Sequence, residues 1–73
     1  MNTAELFGKE VLDVGANKIG KVVDLDFDMR SGMINNIIVK AGLTKRFSIE
    51  LDKIDKIGDR LVLNIAEEEL HKK

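Results

Sequence analysis

The chain has 73 residues, no cysteine, and 12 basic against 13 acidic side chains, for a net charge of −1. The lack of cysteine excludes a disulfide, a thiolate metal site and a cysteine nucleophile. The charge pattern shows neither the basic excess nor the basic stripe of a nucleic-acid module. No apolar run approaches the ~20 residues of a membrane span. The N-terminal Met-Asn-Thr-Ala-Glu-Leu-Phe lacks the basic and apolar regions of a signal peptide. The expected location is therefore cytoplasmic, with no direct membrane insertion.

Residues 2–7 predict one helical turn capped by Asn2 or Thr3 and ended by Gly8. Lys9 to Val14 reads as a short first strand carrying Val11 and Leu12. Gly15 and Asn17 open a turn, since both tolerate positive φ. Lys18 to Asp28 then runs into strict alternation, with Val23, Leu25 and Phe27 on one side and Asp24, Asp26 and Asp28 on the other. That period of two predicts a half-buried strand.

Asp28 leads a type I turn with Gly32 in the left-handed position, leaving Met29 to Gly32 as the loop. Counting back from this turn pairs Phe27 with Ile34, Leu25 with Asn36, Val23 with Ile38, Asp24 with Ile37 and Val22 with Val39. The expected inner face holds Val23, Leu25, Phe27, Ile34 and Ile38. Val22, Ile37 and Val39 fall on the outer face. A one-residue slip would exchange the two sets.

A turn centred on Gly42 follows, and Lys45 to Leu51 alternates again, with Phe47, Ile49 and Leu51 inward. Ile54 and Ile57 precede the tight-turn pair Gly58-Asp59. Arg60 to Ile65 is the last strand, with Leu61, Leu63 and Ile65 in phase. Short strands at regular intervals with Gly-containing turns predict an all-β fold, a small antiparallel β-barrel of about six strands. The chain reads as one domain over 1–73, its core between about Ala4 and Ile65. The tail 66–73 has acids first and bases last, an order suited to a helix dipole. A frayed turn docked through Leu70 is expected there.

Candidate chemistry is sparse. Asp24, Asp26 and Asp28 suggest a calcium loop, but the sixth and twelfth positions counted from Asp24 hold Met29 and Asn35 instead of Gly and Glu. His71 stands alone in the charged tail, without the convergent partners that catalysis or metal binding needs. Gly15 and Gly20 lack the third glycine and following helix of a dinucleotide site. No catalytic constellation, metal site or cofactor site emerges, so the reading is a non-enzyme without a cofactor. The outer apolar set Val22, Ile37 and Val39 is the candidate interface, because clustered apolar surface on a small domain marks protein contacts. With a single aliphatic core in so short a chain, this cluster predicts a homodimer.

The run from Gly8 through Asp28 resembles the opening of a PRC-barrel domain. The segment Ser31 to Val39 resembles its second signature, and Phe47 to Leu63 its third. The pieces come in the right order and cover nearly the whole chain. The sequence departs from the pattern at Glu50, where the family often has Pro, and at Asn36, where a small or apolar residue is common.

The resemblance implies a small β-barrel used for binding, without a shared catalytic site. The chain is similar to the short stand-alone members found in archaea, some of them linked to cell division. By that likeness it is a protein-interaction adaptor. The implied partners are a second copy and a membrane-attached division protein of the SepF kind, or a related PRC-barrel protein. The alternative is a ribosome-assembly or RNA-processing factor, by likeness to the maturation factor RimM. The absence of Tyr and Trp for base stacking and the balanced charge argue against direct nucleic-acid contact. The resemblance carries no specific binding residues.

Overall fold

The computed structural model describes residues 2–70. The expectations for His71 and the two terminal lysines lie outside these residues. The chain begins with one helical turn, α1 (Thr3–Leu6), capped by Asn2, whose side-chain oxygen accepts the Glu5 N–H at 3.0 Å. Six strands follow: β1 (Glu10–Leu12), β2 (Lys18–Phe27), β3 (Ile34–Ala41), β4 (Lys45–Glu50), β5 (Ile54–Ile57) and β6 (Leu61–Leu63). A 3₁₀ turn, Leu51–Lys53, joins β4 to β5, and α2 (Glu67–Leu70) follows β6. The molecule is mostly β, as the alternation predicts.

The strands form a single sheet in the order β4-β3-β2-β1-β6-β5. Its pairs are antiparallel except β1 with β6, which run parallel, with Val11 opposite Leu61 and Leu12 opposite Val62. The sequence predicted antiparallel pairing throughout. Alternation says which face a residue occupies but nothing about strand direction. No hairpin joins β1 to β6, so no turn chemistry could reveal it. The sheet curls into a half-barrel whose edge strands, β4 and β5, are not ladder neighbours. They are joined only through the 3₁₀ turn, and a seam stays open between them.

The β2–β3 hairpin sets the two faces of this sheet. Its turn is as predicted. The Gly32 N–H donates to the Asp28 carbonyl at 2.7 Å, the Asp28 N–H to the Met33 carbonyl at 2.8 Å, and Gly32 has φ +73°. Both ends of the ladder also match, with Phe27 opposite Ile34 and Val22 opposite Val39. Between them the pairing shifts twice, so that Leu25 faces Ile37 and Asp26 faces Asn36. One extra residue sits in each strand, Val23 in β2 and Asn35 in β3. The two bulges cancel at the ends and displace only the middle.

This corrects the face assignment. A bulge lets Val22 and Leu25 face the same way, which strict alternation forbids. Val22, Ile37 and Val39 are 1%, 1% and 0% exposed, and they pack with Val11, Ile19, Ile49, Leu61 and Leu63 as the core. They are interior side chains and present nothing to a partner. Of the residues expected inside, Val23, Phe27, Ile34 and Leu51 are instead exposed, while Leu25, Phe47 and Ile65 are half-buried against the core.

Close backbone packing tightens the same region. A Cβ on Gly20 would collide with the Lys40 carbonyl oxygen, so only glycine lets β2 and β3 approach there. Two changes therefore test the corrected core. Ile37→Ala should cost about 2–5 kcal/mol in urea unfolding, the usual range for truncating a buried Ile. Gly20→Ala should destabilise the chain despite adding only a methyl group. An Ile37→Ala chain with unchanged stability would return Ile37 to the surface.

A candidate interaction site at the open seam

Where the sheet fails to close, α1 lies across the gap and leaves a groove of about 260 Å³. Leu25, Ile34 and Ile37 of the hairpin line one side, and Leu51, Ile54 and Ile57 line the other. Leu6, Thr3 and Asn2 of the first turn complete it. Ile34, Leu51 and Ile57 remain 40%, 40% and 46% exposed, an unusual amount for large apolar residues grouped around one depression. Phe27, paired with Ile34 and also exposed, continues the apolar surface at the rim.

The bulge at Asn35 explains why Ile34 is here. It turns Ile34 onto the same face as Ile37, at the end of the ladder where no further strand covers it. Leu51 and Ile57 reach the groove because the chain leaves β4 through a 3₁₀ turn and re-enters as β5 on the far edge. Asn64 holds that turn in place: its N–H donates to the Lys53 carbonyl at 2.8 Å and its amide to the Asp52 carbonyl at 2.9 Å. Sequence reasoning placed Ile34, Leu51 and Ile57 inside, since apolar residues in phase with a strand are normally core. Only the missing ladder between β4 and β5 separates them from it.

No side chain lining the groove titrates. It offers no general acid, base or nucleophile; its polar groups are the Asn2 amide and the Thr3 hydroxyl. Among the described residues no group of three His, Cys, Asp or Glu side chains is placed to hold a metal ion. Asp24 and Asp26 spend their carboxylates locally. Asp24 accepts the Leu25 N–H at 2.8 Å, and Asp26 accepts the Asn36 amide at 3.1 Å on the outer face. The Asn36 amide thus has its partner.

One carboxylate organises the opposite end of the structure. Asp13 is 2% exposed. One of its oxygens accepts the N–H groups of Gly15 and Asn17 at 2.9 and 2.8 Å. The other accepts the Asn17 amide at 3.1 Å and the Glu67 N–H at 2.8 Å. Asp13 thereby closes the β1–β2 turn and holds the first turn of α2. Within that turn it is Ala16, not Gly15 or Asn17, that has positive φ, at 66°. The sequence Asp-Val-Gly-Ala-Asn carried a legible signal for this, a short carboxylate two residues before a glycine and four before an asparagine.

The Asn17 amide, then the Glu67 and Asn17 N–H groups, hold the Asp13 carboxyl below its ordinary value. Lys18 and Arg60, each at 3.0 Å, do the same for Glu10. A carboxyl depressed by folding stabilises the fold above its unfolded value of about 3.9 and loses that stabilisation as pH falls through the folded value. Asp13→Asn should therefore lower the melting temperature at pH 7, by on the order of 10 °C. It should also flatten the fall in stability below about pH 4. A wild-type acid limb in the variant would mean that Asp13 contributes nothing there.

The structure thus defines a small curled β-sheet that presents an apolar groove and no catalytic constellation, the architecture of a binding module. The sequence pattern of the PRC-barrel domain matches residues 1–70, nearly the whole chain, and the protein belongs to that family. No curated protein matches the chain. Family membership makes it a small protein-interaction module. No described helix is long and apolar enough to cross a membrane.

Proposed function

We propose that the protein is a non-catalytic adaptor that holds a partner protein by its apolar side chains in the groove at the open seam. The carrying observation is the groove itself, apolar around its wall, free of titratable groups and rimmed by half-exposed Ile34, Leu51 and Ile57. Its volume of about 260 Å³ lies below the ~300–1,000 Å³ of small-molecule pockets. A small ligand would also need convergent polar groups to orient it, and the groove supplies almost none. Its size suits one or two apolar side chains of a protein, the anchor-in-pocket contact that dominates many interfaces.

The finer reading, an adaptor in archaeal cell division with a SepF-like partner, is supported only by the likeness to short stand-alone family members. Leu51→Asp and Ile57→Asp test both levels. Each side chain is already well exposed, so both variants should fold as wild-type by circular dichroism. Immobilised wild-type protein should retain division proteins from its native cell, and each variant should retain at least tenfold less, about 1.4 kcal/mol. Equal retention by the variants would remove the groove from the interaction. Ribosomal proteins in place of division proteins would replace the cellular role while leaving the adaptor reading intact.

A further inference from the structure

The outer, convex face of β2–β3–β4 carries a second pattern, separate from the groove. Cross-strand partners group its side chains into rows. Lys21, Lys40 and Arg46 stand opposite one another in one row, and Asp26, Asn36 and Glu50 in another. Between them lies the row Asp24, Ile38 and Ser48. The hydrogen bond from the Asn36 amide to Asp26 confirms that these side chains share a face. Val23, pushed out by its bulge, lies in a shallow depression with Lys18, Gly20, Lys21 and Lys40. Lys21, Lys40 and Arg46 form no ion pair among the described residues. The face therefore has a basic end, an acidic end and a small apolar centre at Val23 and Ile38.

The order of these charges selects the partner. The rows are four residues apart along β3, or roughly 13 Å at about 3.3 Å per residue. A phosphate backbone or anionic membrane attracted to the basic row would also meet Asp24, Asp26 and Glu50. A protein complementary to this face must present acid opposite the basic row and base opposite the acidic row, at the same spacing. A second copy of this chain does so when rotated about a two-fold axis that lies in the contact plane and crosses the strands over Ile38. That rotation reverses the strand direction and keeps each strand over its counterpart. Lys21 then meets the partner's Asp26, Arg46 the partner's Glu50, and Lys40 the partner's Asn36, each contact made twice. Ile38 meets its own copy on the axis. An axis along the strands would set like charges on like.

We propose that this face is a homodimer surface on which a second copy docks antiparallel, basic row on acidic row, about the two-fold axis over Ile38. A typical interface buries about 800 Å² per partner, roughly one sixth of the 5202 Å² surface of this chain. The buried Val22, Ile37 and Val39 take no part. The dimer is also independent of the groove, which lies on the other face of the sheet.

The test is sedimentation of the full chain at high micromolar concentration, with Arg46→Glu and Glu50→Lys made separately. Both positions are exposed on an edge strand. At about 20 mM salt the wild-type should sediment as a dimer, and at 0.5 M salt its dissociation constant should rise on the order of tenfold, since rim charges are screened. Each variant alone should be at least tenfold weaker. An equimolar mixture should regain the dimer, because one variant has become acidic at both ends and the other basic at both. Circular dichroism reports folding; should either variant fail to fold, Lys21→Glu with Asp26→Lys poses the same question on β2. A monomeric wild-type at low salt overturns the proposal. So do variants that dimerise as well as wild-type, and so does a mixture that stays monomeric.

Discussion

The β2–β3 ladder and its two compensating bulges are the constraint on which the remaining structure depends. With Val23 and Asn35 set aside, Val22, Leu25, Ile34, Ile37 and Val39 all turn to the concave side. That side becomes the core against Val11, Ile49, Leu61 and Leu63. Had the ladder been regular, the two strands could not have placed five apolar side chains on one face from this order of residues. A bulge also increases local twist and bends its strand. The curl that converts a six-stranded sheet into a half-barrel thus has a structural source in the same two residues that sort its faces. Gly20 adds to it by letting β2 pass close to the backbone at Lys40.

The half-barrel leaves two ends to be secured, and different interactions secure them. At one end Asp13 gathers four N–H donors from the β1–β2 turn and from α2. A carboxylate of this kind satisfies backbone groups that would otherwise lie unpaired near the core, without the cost of an unpaired buried charge. Across β1 and β6 the charges act at the surface: Glu10 is held by Lys18 and Arg60, and the Lys9 ammonium donates to the Gly58 carbonyl. At the other end no ladder joins β4 to β5. Asn64 fastens the connecting 3₁₀ turn, and α1 covers part of the opening. What stays uncovered there is the apolar groove.

The molecule consequently presents two surfaces of opposite chemistry. The seam is apolar and concave, a place where side chains of a partner lose water. The convex face of β2–β3–β4 is charged and ordered in rows, which favours register and orientation over raw affinity. Both derive from the same ladder, because the residues left outside by the bulges are those that the core does not take. A module built this way has room to meet a second copy on one face and a different protein at the seam.

The sequence by itself determined the local structure. Asn2 as a cap, Gly32 and Gly42 as left-handed turn positions, the ends of the β2–β3 hairpin and the existence of each strand follow from side-chain chemistry within a few residues. The family was legible in the same way, through signatures that cover most of the chain. The candidate site was not. Strict alternation contains no term for a bulge, and two bulges that cancel leave both ends of a ladder in the expected register, so the pairing of Leu25 with Ile37 had no local signature. The parallel β1–β6 pair and the open seam depend on strands separated by nearly the whole chain. Which of the in-phase apolar residues became core, as Ile37 and Val39 did, and which became groove, as Ile34, Leu51 and Ile57 did, was decided by tertiary structure. The physical reason is that burial requires a neighbour on the far side, and the absence of a ladder between β4 and β5 leaves those positions without one.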